Sequence, residues 1–305
     1  MSVATSAQTI AITGSAGLVG KVLSASLSAS GADVKGIVRR TPDSYDKQIQ
    51  WDVKNGFVNP ERLEGLDAVV HLAGEPIAEG RWNHLKKARI RDSRIDGTST
   101  LSRALAATTN KPKVLVSASA IGFYGNRGDE ELVEASAAGT GFLADVCKGW
   151  EEATQPAVDA GIRVVNVRIG IVLTKAGGAL GAMLMPFKMC VGGVMGSGKQ
   201  YWSWVTVEDL VGIIEYAIAN ESLSGPVNAV SPTPATNREF TKAFGAALGR
   251  PTIFPMPAFA AKLVIGEMAE GLLLSSARVI PQKLIDSGYK FQHPELDAAL
   301  KHALA

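Results

Sequence analysis

The sequence has little cysteine, no dense run of charge of one sign and no long uninterrupted apolar stretch. Its two cysteines, Cys147 and Cys190, lie in apolar segments with no histidine or cysteine at metal-ligand spacing nearby. They indicate buried free thiols and no metal site. We therefore expect a reducing compartment: the cytoplasm, or an organelle matrix or stroma if a transit peptide has been removed.

The charge balance excludes several classes of partner. Lysine and arginine total 31 against 29 aspartates and glutamates, so the net charge is +2, and the basic residues are scattered. Neither nucleic acid nor a membrane surface is expected as a partner on this ground. The longest apolar stretches are interrupted by Lys262, Glu267 and Glu270 before they reach a membrane-spanning length. The composition predicts a soluble protein whose partner is a small molecule.

The stretch over residues 9–20 carries the strongest functional signal. A short β-branched run leads into Gly14, Gly17 and Gly20, and an amphipathic helical pattern follows. Gly14 allows a tight turn, Gly17 lets the backbone approach a pyrophosphate, and Gly20 lets the helix lie close to the strand. The free N–H groups of the helix N-terminus then point at the phosphates. The pattern predicts a dinucleotide site, with a purely structural turn as the alternative.

The end of the second predicted strand, Asp33–Val38, indicates which dinucleotide binds. Arg39 and Arg40 follow this strand, and Arg39 lies 19 residues beyond Gly20. An NAD site usually places Asp or Glu about 20 residues on to hold the ribose 2′-hydroxyl, whereas arginine suits a 2′-phosphate. Two arginines and no acid favour NADP(H), with a solvated arginine pair as the alternative.

The order of strand and helix patterns predicts the fold class. They alternate from residue 9 to about residue 170, which is typical of an α/β protein with a doubly wound parallel sheet. We predict an NADP(H)-binding Rossmann domain over residues 1–172, with a strand and a helix contributed by 200–230. Residues 173–305 are predicted to form mainly the substrate cleft and a helical C-terminal portion. Within these units, helices are expected over residues 85–105, 142–160 and 259–274.

Three further segments are candidates for the site. Residues 117–125 change from apolar to hydroxyl-rich at the end of a buried strand, where α/β proteins bind ligands. His71 lies inside another apolar strand and is interpreted as a hydrogen-bonded core residue, with a catalytic role as the alternative. Glycine-rich loops farther along are interpreted as a substrate pocket, with a loop folded on itself as the alternative. The candidate pocket residues are Gln200, Trp202 and Trp204.

Several motifs together resemble the extended short-chain dehydrogenase/reductases. They are Thr13-Gly14-x-x-Gly17-x-x-Gly20, Val70-His71-Leu72-Ala73-Gly74, residues 117–125 and Arg168-Ile169-Gly170. Other phrases resemble an atypical, epimerase-like branch known as nucleoside-diphosphate-sugar epimerase, cell division inhibitor or family 39U type. These phrases include Ser93-Arg94-Ile95, Trp150-Glu151, Ser203-Trp204-Val205 and Gly249-Arg250-Pro251. The resemblance extends over essentially the whole chain.

The resemblance implies an NADP(H)-binding Rossmann fold with a smaller C-terminal portion over the nicotinamide end. It assigns Arg39 to the 2′-phosphate, residues 72–74 to the cofactor wall and Arg94 to the neighbourhood of the phosphates. It also leaves a homodimer open, since extended members are often dimers through helices flanking the sheet. The predicted cofactor site comprises Thr13, Gly14, Ser15, Ala16, Gly17, Leu18, Val19, Gly20, Arg39, Arg40, Leu72, Ala73, Gly74, Arg94, Ser117 and Arg168.

One departure from the family pattern concerns the catalytic residues. Active members use a Tyr and, four residues later, a Lys that lowers the Tyr pKa, while a Ser orients the substrate. Ser119 fits the serine position, but the helix beginning near Phe142 lacks the pair. Alignment on Phe142 puts Val146 in the lysine position, and alignment on Glu151 puts Leu143 and Cys147 in the two positions.

Three functions remain open on these grounds. The favoured one is an NADPH-dependent oxidoreductase acting on an unidentified small molecule, with Ser119 and Tyr124 as candidate catalytic residues and Lys148 near the tyrosine. Its substrate would be a strong hydride acceptor, such as a quinone or conjugated alkene, if no protein acid takes part. The alternatives are a catalytically silent NADPH-binding regulatory protein and a nucleotide-sugar epimerase.

Overall fold

A large β-sheet organises the chain. The computed structural model describes residues 8–305, apart from the side chain of Val264. The strands are β1 Thr9–Thr13, β2 Asp33–Val38, β3 Gln48–Asp52, β4 Phe57–Val58, β5 Ala68–His71, β6 Val114–Ala120, β7 Glu131–Leu132, β8 Arg163–Ile169, β9 Ile171–Leu173, β10 Tyr201–Trp202, β11 Trp204–Thr206, β12 Gly225–Ala229, β13 Ala235–Thr236 and β14 Arg278–Val279.

Eight strands form one sheet in the order β12-β8-β6-β5-β1-β2-β3-β4. Neighbouring strands are parallel except at the β3–β4 edge. The strand order reverses at β1, because β2 and β3 lie on one side of it and β5, β6 and β8 on the other. This is the doubly wound α/β sheet that the sequence predicts. Ligands of such sheets bind at the carboxyl ends of the strands beside the reversal point.

Helices cover the two faces of this sheet, and β1 supplies side chains to both. Ile10 and Ile12 face a core that includes Leu23, while Ala11 faces the opposite core with Leu101. Alternate burial of this kind follows from the two-residue period of a strand. The helices are α1 Leu18–Ala29, α2 His84–Ala106, α3 Phe142–Glu152, α4 Gln155–Asp159, α5 Gly178–Lys188, α6 Val207–Ala219, α7 Asn237–Leu248, α8 Ala258–Ile265, α9 Glu267–Ala269, α10 Gln282–Asp286 and α11 Leu296–Leu304.

Two predicted helices are each interrupted, so the prediction of single long helices was wrong there. The segment 142–160 divides into α3 and α4, and Pro156 lies in the first turn of α4. Proline has no N–H to continue an α-helix, but it is well tolerated at a helix start. The segment 259–274 divides at Gly266, whose φ of +68° is left-handed. After α9 a π-helical turn, Glu270–Leu274, completes the segment.

The chain after β9 builds a second apolar core. Trp202 and Trp204 pack there with Phe240 and Phe244 of α7 and with Leu300 of α11. Strand β12 instead extends the large sheet by pairing with β8, and helix α6 packs against that sheet. The domain boundary near residue 172 stays a prediction. Within residues 8–305, no helix combines the length and apolar character needed to cross a bilayer.

Candidate active site

The glycine turn between β1 and α1 forms an uncapped helix N-terminus. Gly14 has a φ of +69°, and a Cβ on Gly20 would lie 2.2 Å from the Gly14 carbonyl oxygen. Only glycine at position 20 therefore allows this contact between helix and turn. Gly17 is the N-cap, and no side chain caps the first turn of α1, which has no acidic residue. Free N–H groups without a competing carboxylate fit a pyrophosphate.

The exposure of the residues in this segment shows which of them can contact a cofactor and which of them only support the turn. Residues 14–19 are at least partly exposed, so they can line a cofactor, whereas Gly20 is buried beneath the turn. Thr13 is wholly buried, so its assignment as a cofactor-contacting residue was wrong. Its hydroxyl accepts hydrogen bonds from the N–H groups of Leu72 and Ala73, at 3.0 and 3.1 Å. Thr13 thereby fixes the wall that follows β5.

The same threonine determines the protonation of His71. Because the Thr13 hydroxyl accepts two N–H groups, its own proton is donated to His71 Nδ1, 2.7 Å away. His71 is wholly buried, and burial followed by the charge of Arg94 lowers its pKa to about 4. The imidazole is therefore neutral, with its proton on Nε2. This confirms the interpretation of His71 as a hydrogen-bonded core residue.

The two arginines after β2 differ in availability. Arg40 donates from Nη1 to Asp43 Oδ1 at 2.7 Å, so an ion pair holds its side chain. Arg39 is exposed and forms no ion pair with any residue of the described range 8–305. Near them, Ser15 Oγ lies 3.1 Å from where a Cβ on Gly36 would stand. Arg39, which follows directly after β2, the strand paired with β1, fits a 2′-phosphate, whereas Arg40 would first have to leave Asp43.

Arg94 lies against Gly74, the last residue of the predicted cofactor wall. Its guanidinium carbon is 3.2 Å from the position of a Cβ on Gly74, and it stacks on the Trp150 ring at 4.9 Å from the ring centroid. Its Nη1 donates to the carbonyl oxygens of Glu75 and Ile90, both at 3.0 Å. Burial lowers the pKa of Arg94. A guanidinium held beside a bare glycine backbone fits the anionic part of a dinucleotide.

Ser119 and Arg168 meet in a buried polar cluster. Ser119 Oγ donates to Glu151 Oε1 at 2.7 Å, and Arg168 donates from Nε and Nη2 to the two Glu151 oxygens, both at 2.8 Å. Ser119 is 2% exposed and Arg168 is 3% exposed. The assignment of Arg168 to the cofactor was therefore wrong, because its guanidinium is buried and bonded to Glu151. The assignment of Ser117 to the cofactor was also wrong, because its side chain has no exposed surface.

Tyr124 belongs to the same cluster and is wholly buried. Its hydroxyl donates to Asn228 Oδ1 at 2.7 Å or to the Val133 carbonyl at 3.0 Å, and it accepts from Arg168 Nη1 at 2.9 Å. Burial raises the pKa of Tyr124. A buried phenol that is held on all sides does not reach a substrate, so this structure contradicts Tyr124 as a proton donor. Lys148, predicted nearby, is on the exposed face of α3.

The positions that the family pattern gives to Tyr and Lys are apolar here. Gly122 follows β6, and a Cβ on it would lie 3.3 Å from Leu143 Cβ and 3.7 Å from Cys147 Sγ. This juxtaposition favours the alignment that starts from Glu151 over the one that starts from Phe142. Burial is the main cause that raises the pKa of Cys147 to about 12, so the thiol stays protonated. Neither residue is a proton donor or base at neutral pH.

The predicted substrate residues lie in the core of the C-terminal part, so that assignment was wrong. Trp202 and Trp204 are 3% and 0% exposed, and their indole N–H groups donate to the carbonyls of Leu273 and Thr233. Gln200, also buried, donates to two carbonyls, those of Met195 and Leu273. All three side chains hold the C-terminal segments together. The two tryptophans that follow the glycine-rich loops are therefore core residues.

A different set of apolar residues meets at the start of α3. Trp82 and Phe142 pack edge to face with ring centroids 5.2 Å apart. A Cβ on Gly271, in the π-helical turn, would lie 3.3 Å from the Trp82 ring and 3.5 Å from Leu143 Cδ1. The C-terminal segment therefore lies directly against the α3 start. Trp82 and Gly271 were not predicted as site residues, because nothing in their local pattern indicates contact across almost 200 positions.

Comparison with known proteins defines the family. The NAD dependent epimerase/dehydratase family matches residues 10–229, and a domain of unknown function, DUF1731, matches residues 256–303. The chain belongs to the NAD dependent epimerase/dehydratase family, as the sequence motifs predict. It is 45% identical to epimerase family protein Mb2239 of Mycobacterium bovis over 294 residues, which cover 96% of this chain and 97% of that protein.

Two solved structures extend the comparison. The crystal structure of human epimerase family protein SDR39U1, isoform 2, with NADPH has a TM-score of 0.89 and 34% identity, and the match covers 97% of this chain and 99% of the human chain. The nucleoside-diphosphate sugar epimerase of Corynebacterium glutamicum has a TM-score of 0.82 and 39% identity, covering 98% of this chain and 58% of that one. Both matches confirm the predicted Rossmann-type fold.

Proposed function

We propose that this protein is an NADPH-dependent oxidoreductase that reduces an apolar, conjugated small molecule such as a quinone or conjugated alkene. The observation that carries the proposal is the pair Leu143 and Cys147 beside Gly122, where related enzymes hold their proton-transferring residues. A site without an acid or base suits an acceptor that takes hydride at carbon and its proton from water. The half-buried ring of Trp82 provides apolar surface for such an acceptor.

The chain's own residues account for cofactor binding in this proposal. The uncapped N-terminus of α1 would hold the pyrophosphate, Arg39 the 2′-phosphate, and residues 72–74 with Arg94 the adjoining wall. NADPH supplies the hydride when bound. The NADPH in the crystal structure of human SDR39U1 supports this choice of cofactor. Thr13 and His71 act indirectly, because they hold the wall after β5 in place.

Nucleotide-sugar epimerisation is less well supported, although the Corynebacterium relative carries that description. Epimerisation through a ketone requires a base that removes an alcohol proton and later returns it. Ser119 is bonded to Glu151 and Tyr124 is buried, so neither is placed for this exchange. A silent NADPH-binding protein is the second candidate. The contact of Gly271 with Leu143, which covers the α3 start, favours it.

A binding experiment tests the cofactor part of the proposal. NADPH and NADH are titrated against the wild type, Arg39→Ser and the matched control Arg40→Ser. A charge-assisted hydrogen bond contributes about 1.5–3 kcal/mol, so Arg39→Ser is expected to weaken NADPH binding roughly 10- to 100-fold and leave NADH binding unchanged. Arg40→Ser should have a smaller effect because Asp43 already occupies that side chain. Equal affinity of the wild type for both dinucleotides would contradict the assignment.

A turnover experiment tests the reaction. Loss of NADPH absorbance is followed with quinones, conjugated enones and nucleotide sugars as separate acceptors. Turnover of the first two classes, retained in Ser119→Ala, is expected, since Ser119 points into the buried cluster. A nucleotide sugar converted without net NADPH loss would instead favour the epimerase. Tight NADPH binding with no turnover in any class would favour the silent binding protein.

A further inference from the structure

Six large apolar side chains in the C-terminal part of the chain are exposed. Phe259 and Leu263 of α8 are 75% and 77% exposed, and Met185 and Met189 at the end of α5 are 63% and 66% exposed. Ile253 and Phe254, which precede α8, are also exposed. Monomeric soluble proteins rarely show large apolar patches without a binding role. We call these six residues the apolar patch.

Backbone contacts join the segments that carry the apolar patch. Met256 N donates to the Val194 carbonyl and Gly196 N to the Met256 carbonyl, both at 2.9 Å. A Cβ on Gly193 would lie 1.8 Å from the Phe254 carbonyl oxygen, so the two backbones are in direct contact there. Phe259 and Leu263 are four residues apart within α8, which puts both on one face of that helix, whereas Met185 and Met189 span the C-terminal end of α5. The loop after α5 and the segment before α8, about 65 residues apart in sequence, are therefore neighbours on the surface.

Every charged residue within the segments that carry the patch is basic, and the acids Glu267 and Glu270 follow directly after α8. Residues 178–200 and 250–265 contain no Asp or Glu. They contain four basic residues: Lys188, Lys199, Arg250 and Lys262. Lys262 pairs with Glu270 from the following turn at 3.1 Å, whereas Lys188 and Arg250 are exposed and have no ion-pair partner in the described range. Exposed apolar side chains rimmed by cations complement an anionic, partly apolar surface.

We propose that the apolar patch binds the protein peripherally to the headgroup region of an anionic lipid bilayer. Phe259 and Leu263 enter the boundary between headgroups and acyl chains, and Lys188 and Arg250 lie against the lipid phosphates. The binding is interfacial, since none of the helices within residues 8–305 is long and apolar enough to span a bilayer. This inference is independent of the proposed oxidoreductase activity. It also differs from the expectation of no membrane partner, which rested on the absence of a dense basic run.

Vesicle flotation with the full chain tests the proposal. Vesicles of phosphatidylcholine alone are compared with vesicles that also contain phosphatidylserine, at low and high salt. The test variant is Phe259→Ser/Leu263→Ser. The matched control is Phe57→Ser/Val158→Ser, which removes one exposed aromatic and one exposed aliphatic residue elsewhere. Since all four side chains are exposed, circular dichroism and thermal unfolding should show that both variants keep the fold.

The wild type and the control are expected to float with the phosphatidylserine vesicles, and more weakly at high salt. The Phe259→Ser/Leu263→Ser variant should lose roughly tenfold or more of its partitioning, as removal of two membrane-inserted apolar side chains predicts. Flotation that is equal for both lipid compositions, or equal for both variants, would overturn the proposal. Absence of flotation, with a concentration-dependent dimer that only the test variant loses, would overturn it too and assign the patch to a second copy of the chain.

Discussion

The buried ion pair of Arg168 and Glu151 allows a sharp test of whether Arg168 has a structural role. We consider Arg168→Met, which fills similar space but removes the positive charge. The Glu151 carboxylate would keep only the Ser119 hydroxyl as a donor, at 2.7 Å, inside a cluster where its side chain is 13% exposed. Tyr124 would lose the guanidinium that donates to its hydroxyl. The variant therefore leaves a buried carboxylate without its counter-charge.

The expected loss is large compared with that of a surface pair. Removal of one partner from a buried ion pair lowers the free energy of unfolding by about 3–5 kcal/mol, whereas an exposed pair contributes about 0–1 kcal/mol. Arg168 is 3% exposed, so we expect the larger range. Ser119→Ala removes one hydroxyl donor only and should lower the free energy of unfolding by about 1 kcal/mol. NADPH affinity should change in neither variant beyond the effect of lost stability.

Urea denaturation followed by tryptophan fluorescence measures these values. The double variant Arg168→Met/Glu151→Leu removes both charges and is expected to be more stable than Arg168→Met alone, because no unpaired charge remains. This sign distinguishes the charge argument from simple loss of packing. A loss below about 1 kcal/mol for Arg168→Met would refute the reasoning, as would a double variant less stable than the single one.

Three further predictions follow from single sites. Gly20→Ala should abolish measurable NADPH binding and lower stability, because its Cβ would meet a backbone oxygen at 2.2 Å; Gly181→Ala, with its nearest atom at 3.7 Å, should do neither. His71 has a pKa of about 4 in the folded protein against about 6.5 in the unfolded chain, so the unfolded chain binds more protons between these two values. Its contribution to stability is therefore fully present above pH 6.5 and decreases as the pH falls. Between about pH 7 and pH 4, urea unfolding should show the free energy of unfolding of the wild type falling by about 3 kcal/mol more than that of His71→Asn. A thiol reagent at neutral pH should modify half-buried Cys190 but not Cys147, and a fast-reacting thiol in Cys190→Ser would contradict the raised Cys147 pKa.

The fold was predictable because its signals are local and repeated. The bounds of β2, Asp33–Val38, were predicted to the residue, and the glycine turn after β1 has the conformation that its spacing requires. The alternation of apolar strands with amphipathic helices is enough to predict a doubly wound sheet. The errors fell where one residue overrides a period, at Pro156 and at Gly266. In both places an apolar helical pattern continues across the break.

The glycine turn before α1 was predictable for a related reason. Its residues are consecutive in sequence, and backbone conformation defines the turn. The residues that were assigned wrongly, such as Arg168 and Ser117, lie on strands whose ends approach the site while their side chains point into the protein. Strand position alone does not reveal which way a side chain faces. For Arg168 the deciding partner is the buried Glu151, and their ion pair joins β8 to α3.

The substrate half could not be predicted because its contacts are non-local. Trp202 and Trp204 follow glycine-rich loops, a position typical of a pocket, but the second apolar core takes both indoles. Their places near the α3 start are taken by Trp82 and Gly271, which meet across 189 sequence positions. The apolar patch is equally invisible in sequence, because the residues of its two helices look like ordinary core positions. Hydrophobic periodicity predicts that a face is apolar and does not say what covers it.

Two features of the site constrain function together: the Tyr and Lys of the family pattern are absent, and the glycine turn leads into a helix N-terminus without a side-chain cap. A protein that had lost all dinucleotide binding would have no need to keep Gly20 beneath the turn or the α1 N-terminus uncapped. Yet Leu143 and Cys147 exclude the proton exchange by which related enzymes act on alcohols. Reduction of an acceptor that takes its proton from water satisfies both constraints, and so does binding of NADPH without turnover. The choice depends on whether an acceptor can enter between Leu143 and Gly271, so Gly271→Leu should abolish turnover while NADPH binding persists.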